Sequence, residues 1–241
     1  MKIKAIGTGA ILSKKNSACY LIDEKILIDI PNGTCKELKR IGVEPIDIKY
    51  ILLTHLHGDH YFDIPFLLLS KIKSEYICSV VIATSKDGIS KIKKLTKLAF
   101  PNTIKKIKNK VKIKYETSQN FNIEDYKIEK VKVKHGHMKP AFGYILEKDN
   151  IKIGFSGDSC YCESIDYLAK NCKVLICDCS LTTGNSSHMR IDNLMTLTDK
   201  YPNCTIYATH LDDNVRDELK KQTKIKILDD GNLINIKEQI A

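Results

Sequence analysis

The sequence predicts an α/β fold in which two β-sheets pack together and carry helices on their outer faces. Strand-like segments occupy the start of the chain, and strands alternate with helical segments after them. This order occurs a second time: a run of strand-like segments in the middle of the chain is followed by alternating helical and strand-like segments. Two such successions in 241 residues favour one domain, although two small domains also fit this length.

The elements of the first half are recognised from apolar runs and the turn residues that flank them. The continuous run "KYILLT" is typical of a buried strand, whereas "YFDIPFLLLSKI" predicts a helix with Pro65 in its first turn. The predicted order is strands at 3–7, 18–22 and 25–30, a helix at 34–42, a strand at 49–54, a helix at 61–72, a strand at 80–84 and a helix at 87–100.

The second half begins with strands and then alternates. Asp149 and Asn150 separate two strand-like segments and predict a hairpin turn. The predicted order is strands at 111–115, 126–135, 142–147 and 151–158, a helix at 164–170, a strand at 173–180, a helix at 191–201, a strand at 205–210, a helix from 213 and a final hairpin around 230–231.

Composition excludes several classes of protein. No apolar run reaches the roughly 18 residues that a membrane helix needs, and the first residues are typical of a strand and a glycine turn. The odd number of cysteines, 9, favours reduced thiols in the cytoplasm. The C-x-C pairs at 160/162 and 177/179 could bind a metal, but "VLICDCS" is more typical of a buried strand.

The formal net charge is +10, from 39 basic and 29 acidic residues. Many lysines alternate with isoleucine, so the wet faces of strands and helices account for most of them. Only residues 105–114, "KKIKNKVKIK", are dense enough in lysine to attract a phosphate-bearing partner.

The segment "THLHGDH" contains three histidines and an aspartate directly after a predicted buried strand. His55 and His57 lie on one side of an extended chain, and Gly58 allows a turn that presents Asp59 and His60 to a second point. So short a loop suits two adjacent metal ions better than one, since neutral imidazole and carboxylate are good zinc ligands. The alternative is a set of core histidines, each of which would need its own hydrogen-bond partner.

Further candidate ligands follow other predicted strands. His137, Asp158 and His210 each stand at or just beyond the end of a predicted strand. A carboxylate at the tip of an apolar strand is costly unless it is paired. An aspartate that bridges two cations would explain the position of Asp158.

These segments resemble the metallo-β-lactamase superfamily, and within it the ribonuclease Z branch, over nearly the whole chain. The similar segments are "GTGA" at 7–10, "THLHGDHYFDIPFLL" at 54–68, "HMKPAFGY" at 137–144, "FSGDS" at 155–159, "LAKNCKVLICDCS" at 168–180 and "ATHL" at 208–211. The resemblance implies an αββα sandwich of two mixed β-sheets flanked by helices, as a single domain over residues 1–241.

The resemblance also implies two divalent metal ions, with zinc expected first and manganese or iron as alternatives. The positions that resemble the first ligand set are His55, His57, His137 and Asp158, and those that resemble the second are Asp59, His60, Asp158 and His210. The family's spacing to Gly143–Tyr144 favours His137 over His135, so His135 is expected to face away.

Two residues are expected to be catalytic. Asp59 would orient a metal-bridging hydroxide, and His188 matches the histidine that the ribonuclease Z branch uses near the scissile phosphate; the alternative for His188 is a surface position in "GNSSHMR". Asp29, Thr54 and Asp178 are expected to hold the ligand imidazoles.

The expected function is hydrolysis of a phosphodiester in a small nucleotide, a cyclic phosphate or an RNA end. Only 20 residues separate His137 from Asp158, which leaves no room for the long arm with which bacterial ribonuclease Z clasps transfer RNA. The alternatives are hydrolysis of a carbon-centred ester, thioester or lactam, and a non-catalytic metal-binding protein. We expect a cytoplasmic protein without a membrane partner, and a homodimer is compatible with the resemblance.

Overall fold

The computed structural model describes residues 1–181, 186–221 and 224–236 and contains two seven-stranded sheets. The first sheet has the spatial order β14 (Leu233–Asn235), β1 (Lys2–Gly7), β2 (Cys19–Ile22), β3 (Ile26–Ile28), β4 (Tyr50–Leu52), β5 (Cys78–Ala83), β6 (Val111–Glu116). The second has the order β13 (Lys226–Ile227), β12 (Thr205–Thr209), β11 (Val174–Asp178), β10 (Ile151–Phe155), β9 (Met138–Lys148), β8 (Tyr126–His135), β7 (Asn120–Ile123). Parallel and antiparallel pairs occur in both sheets, which confirms the expected mixed sheets.

The described helices connect the parallel strands. They are α1 (Thr34–Arg40), α2 (Gly58–Tyr61), α3 (Ile64–Lys71), α4 (Lys86–Ala99), α5 (Ile104–Lys110), α6 (Glu163–Asn171), α7 (Ile191–Lys200) and α8 (Asp213–Leu219). Pro65 lies in the first turn of α3, as expected for a residue without a backbone N–H. None of the helices in the described ranges has the length and apolar character that a membrane span requires.

Three apolar cores hold the helix–sheet–sheet–helix layers together. The central core joins the facing sides of the two sheets, where Leu52 and Ile176 are buried. The outer cores lie under the helices, and they bury Ile51 with α1, α3 and α4 on one side and Leu175 with α6, α7 and α8 on the other. Strands β4 and β11 are therefore buried on both faces, which explains why their sequences are continuous apolar runs.

One of the two predicted hairpins is confirmed and the other is wrong. Asp149 and Asn150 both have positive φ, 54° and 61°, and join β9 to the antiparallel β10 through a two-residue turn. The segment around Gly231 instead connects the two sheets, because β13 pairs with β12 whereas β14 pairs with β1. Local turn chemistry predicts the reversal of the chain but not the sheet that the next strand joins.

A buried lysine links the second sheet to the first. Lys130 of β8 is 3% exposed, and its Nζ donates hydrogen bonds to the backbone oxygens of Thr84 and Glu116, both at 3.0 Å. Burial lowers the pKa of Lys130 to about 8, although the negative charge of Glu116 opposes the shift. The ordinary lysine pKa of about 10.4 applies to the unfolded chain.

We expect the free energy of unfolding of the wild type, relative to a Lys130→Met variant, to increase as the pH rises from 8 to 10.5. In that window the unfolded chain binds more protons at this lysine than the folded chain, so stability rises with pH. The increase is at most about 3 kcal/mol, since one pKa unit corresponds to about 1.4 kcal/mol. Urea titrations at several pH values measure it, with exposed Lys132→Met as the control for one lost charge. Parallel curves for the wild type and Lys130→Met would contradict the prediction.

Candidate metal centre

The candidate ligands converge where strands of both sheets end. His55 follows β4 by three residues, and Asp158 and His210 lie just beyond the ends of β10 and β12. Because the parallel strands within a sheet end at the same edge, side chains distant in sequence meet there. The resulting cluster contains the exposed His57 and the buried or partly buried His55, Asp59, His60, His135, Asp158, Asp178, His188 and His210.

One set of possible metal-ligand atoms lies near the Nδ1 atom of His57. The Nδ1 atom of His57 lies 3.0 Å from Nε2 of His55 and 3.1 Å from Nε2 of His135. The Oδ2 atom of Asp158 lies 3.7 Å from Nε2 of His55 and 3.9 Å from Nε2 of His135. The three imidazole nitrogens therefore lie together, and the Asp158 oxygen lies beside two of them.

A second set lies on the other side of the same carboxylate. The Oδ2 atom of Asp158 is 3.3 Å from Nε2 of both His60 and His210. The Oδ2 atom of Asp59 completes the set, at 3.5 Å from Nε2 of His60 and 3.7 Å from Nε2 of His210. The two Nε2 atoms are buried and lack a hydrogen-bond partner among the described residues.

The spacings fit two tetrahedral metal sites that share Asp158. In a tetrahedral zinc site with bonds of 2.0–2.1 Å, neighbouring ligand atoms are about 3.4 Å apart. The distances in the two sets, between 3.0 and 3.9 Å, bracket that value. Buried imidazole nitrogens without a partner are costly, and a cation would satisfy both of them.

The prediction that His137 faces the cluster and His135 faces away is wrong. His135 is 4% exposed and contacts His57, whereas His137 is exposed in the two-residue turn between β8 and β9. Alternation along "VKVKH" already contained the signal, because Val131, Val133 and His135 share one side of an extended strand. The burial of β8 follows this period of two, since Lys132 and Lys134 are exposed whereas His135 is buried.

Hydrogen bonds from outside the cluster orient its first imidazoles. The Nδ1 atom of His60 lies 2.8 Å from Asp29, whose carboxylate also accepts from the backbone N–H and the hydroxyl of Thr54, both at 2.7 Å. The Thr54 hydroxyl lies 3.0 Å from Nδ1 of His55. Asp29 and Thr54 therefore hold the outer nitrogens and turn Nε2 of His55 and His60 inward, as predicted.

The imidazoles of His135 and His210 are oriented in the same way. Nδ1 of His135 lies 2.8 Å from the backbone oxygen of Ser187, and Nδ1 of His210 lies 2.7 Å from the Ser180 hydroxyl. That hydroxyl donates to Asp178 at 2.6 Å. Ser180 was not predicted, because a serine that follows a strand carries no sequence signal for a contact 30 residues away.

The backbone near the centre is held in uncommon conformations. His210 and Asp29 have positive φ angles of 54° and 59°, a backbone conformation that residues other than glycine rarely adopt. Gly157 has φ 59°, and a Cβ atom there would lie 2.6 Å from the backbone oxygen of Phe142, so only glycine fits before Asp158. The chain changes direction at Gly58 as expected, because His57 is extended and Gly58 begins α2; a Cβ atom there would meet the Phe62 ring at 2.8 Å.

Electrostatics at the second donor set favour positive charge. Burial lowers the pKa of His60, but the carboxylates of Asp158 and Asp29 outweigh it and raise that pKa well above its usual value. Burial also lowers the pKa of His210, but the negative charge of Asp158 outweighs this effect and the pKa rises to about 9. By contrast, burial and the charge of His60 lower the pKa of His55. The field of the carboxylates would stabilise a cation between these rings.

Known sequences are similar to this chain over part or most of its length. Over residues 1–234 it matches the family described as anti-Pycsar protein Apyc1. It is 30% identical over 155 residues to ribonuclease Z of Pyrococcus abyssi (strain GE5 / Orsay), which covers 60% of this chain and 47% of that protein. The chain thus spans about half the length of the curated relatives it matches.

Solved structures share the fold over nearly the whole chain. The metallo-β-lactamase fold protein YhfI from Bacillus subtilis has a TM-score of 0.78 at 19% identity, over 97% of this chain and 98% of its own. A diphosphatase from the PhnP family has a TM-score of 0.75 at 18% identity, over 98% and 97%. With two mixed sheets and outer helices, the chain shares the metallo-β-lactamase fold of these structures, is similar to ribonuclease Z over part of its length, and belongs to the Apyc1 family.

Proposed function

We propose that the chain is a two-metal hydrolase that cleaves a phosphodiester in a small nucleotide or cyclic phosphate. One observation carries the proposal: Oδ2 of Asp158 lies between two donor sets, one of which contains two buried imidazole nitrogens without a partner. The first ion would be held by His55, His57, His135 and Asp158, and the second by Asp59, His60, Asp158 and His210.

The connection between β9 and β10 supports a small substrate. The two strands pair from Lys148 and Ile151 onward, so a two-residue turn occupies the position of the long arm in bacterial ribonuclease Z. Without such an arm, little surface beside the centre would hold a large folded RNA.

The ions, when bound, would lower the pKa of water and stabilise the negative charge that develops on a phosphodiester under attack. The protein would fix the geometry of this step. Asp158 keeps the two donor sets adjacent, and Asp29, which accepts three hydrogen bonds, prevents rotation of the His60 ring. The Asp59 carboxylate belongs to the second set and would also orient the attacking water.

His188 has the position and the partner of a proton donor. Its ring stacks on that of His210 with centroids 5.3 Å apart, and its Nδ1 atom lies 2.9 Å from Oδ2 of Asp178. Burial lowers the pKa of His188, but the hydrogen bond to Asp178 and its charge raise it above the usual value overall. Since Asp178 holds Nδ1, a proton transferred to a substrate oxygen would come from Nε2.

A metal analysis and a substrate panel test the proposal. Purified protein should contain about two divalent ions per chain and should hydrolyse cyclic nucleotides or bis-p-nitrophenyl phosphate. Turnover of p-nitrophenyl acetate or nitrocefin alone would favour the carbon-centred alternative. A folded protein that binds no metal would favour a non-catalytic role and would overturn the proposal.

Replacement of His188 by asparagine is expected to reduce kcat for a cyclic nucleotide by about 10²–10⁴-fold, the usual contribution of a general acid. Both metal ions should remain, because His188 belongs to neither donor set. The loss should be smaller for bis-p-nitrophenyl phosphate, whose leaving group departs as a stable anion and needs no proton. Equal losses on both substrates would indicate that His188 stabilises charge without donating a proton.

A further inference from the structure

The positive charge of the chain is concentrated in one segment. Residues 86–114 contain 11 lysines and one acidic residue, Asp87, a net charge of +10 (11 − 1). The whole chain also has a formal net charge of +10, so the remaining residues are balanced, with 28 basic (39 − 11) and 28 acidic (29 − 1). The segment comprises α4, α5 and most of β6.

These lysines are directed into solvent. All except the half-buried Lys110 are exposed. Among the described residues, carboxylates within 4 Å are found only for Lys91, 3.0 Å from Asp87, and Lys114, 3.9 Å from Glu116. An array of this kind, with most charges uncompensated, attracts a polyanion.

A groove runs through this basic face. It has a volume of about 550 Å³ and lies between α3, α4, α5 and β6. Lys93 and Lys97 of α4 line it from one side and Lys108 of α5 from the other, while its floor contains Ile107 and Val111. The Tyr115 ring lines it too and has the Lys93 ammonium 5.7 Å above it.

We propose that this groove, bounded by α4, α5 and β6, is a docking site for single-stranded nucleic acid. Lysines beside an apolar, aromatic-containing floor suit a strand whose phosphates contact the rim and whose bases enter the groove. Along α4, Lys93 and Lys97 are four residues and therefore about 6 Å apart, a spacing that suits successive phosphates.

The same features disfavour insertion into a membrane. Insertion into lipid requires protruding apolar side chains beside the charges. In residues 86–114 only Leu98, which is 83% exposed, qualifies, whereas Ile107 and Val111 are buried at the floor of the groove. A recessed apolar floor accepts a protruding group and does not itself insert.

The docking site is distinct from the metal centre. Residues 86–114 contribute no member of either donor set. The proposal therefore does not depend on the proposed hydrolysis, and binding can be measured without turnover.

Fluorescence anisotropy with a labelled 20-nucleotide single-stranded RNA and its DNA counterpart, in EDTA to prevent hydrolysis, tests the proposal. A Lys93→Gln/Lys97→Gln/Lys108→Gln variant should bind at least about 10-fold more weakly at 0.1 M salt. The logarithm of its binding constant should depend less steeply on the logarithm of the salt concentration, by about 2 units of slope, since each lost phosphate contact contributes about 0.7. The matched control replaces three exposed lysines elsewhere, Lys36→Gln/Lys170→Gln/Lys221→Gln, and should stay within about 3-fold of the wild type.

Three outcomes would overturn the proposal. The wild type could fail to bind either oligonucleotide at 50 mM salt, or the two triple variants could lose affinity equally. The groove variant could also lose binding to phosphatidylserine vesicles or to an acidic peptide while its oligonucleotide affinity is unchanged. Hydrolysis of a small phosphodiester by the groove variant, measured separately with metal, shows whether the proposed catalytic function holds independently.

Discussion

Replacing Asp158 by asparagine is expected to remove both metal ions and to reduce kcat/KM for a phosphodiester by at least about a thousandfold. Asp158 is 3% exposed, and one of its oxygens belongs to both donor sets. Asparagine keeps the volume but removes the charge. Loss of about 4 kcal/mol of charge stabilisation, a usual contribution of bound metal, corresponds to about three powers of ten in rate.

Elemental analysis of the purified variant, together with kcat/KM, measures this effect. The matched control is Asp63→Asn, which changes another buried aspartate that accepts a hydrogen bond from the backbone N–H of Cys35 outside the donor sets. The asparagine oxygen can still accept that bond, so metal content and activity should remain within a few-fold of the wild type. An Asp158→Asn protein that retains two ions per chain would contradict the shared-carboxylate arrangement.

His135→Ala and His137→Ala are expected to behave in opposite ways, although only one residue separates the two positions. His135 is buried, its Nδ1 atom is held by Ser187, and its Nε2 atom faces His57. His135→Ala should therefore lose about one metal ion per chain and reduce kcat/KM by at least about a hundredfold. His137→Ala should match the wild type in both respects, because the side chain is exposed in a turn.

The two variants control for each other, since both remove one imidazole from the same hairpin. Metal content by elemental analysis and kcat/KM are measured in parallel, with circular dichroism to confirm that both variants are folded. A loss of metal in His137→Ala with full occupancy in His135→Ala would show that the hairpin in solution has the opposite orientation.

Much of the centre was readable from residues close together in sequence. The crowding of His55, His57, Asp59 and His60 after a buried strand predicted a metal-binding loop, since few other arrangements tolerate so many imidazoles. Asp158 and His210 could be added because a polar group at the tip of an apolar strand is costly without a partner. These inferences rest on local chemistry, which a sequence records directly.

The contacts that orient the imidazoles were only partly predictable. Asp178 contacts His188 and the Ser180 hydroxyl, and Ser180 in turn contacts His210. Nothing in the sequence separates Ser180 from other serines that follow strands. Its role arises only because β11 and β12 are neighbours and end at the same edge.

By itself the sequence determined the layered α/β class, the two strands that are buried on both faces, and most of the donor residues. These features follow from the hydrophobic periodicity of single segments and from the cost of burying a polar residue, and both can be read from neighbouring residues. Only the tertiary structure decided that the segment after Gly231 crosses to the other sheet, and that the Ser180 hydroxyl meets His210. Strand register and sheet membership depend on pairing between distant segments, and the free energy of that pairing belongs to the packed core rather than to any local run of residues.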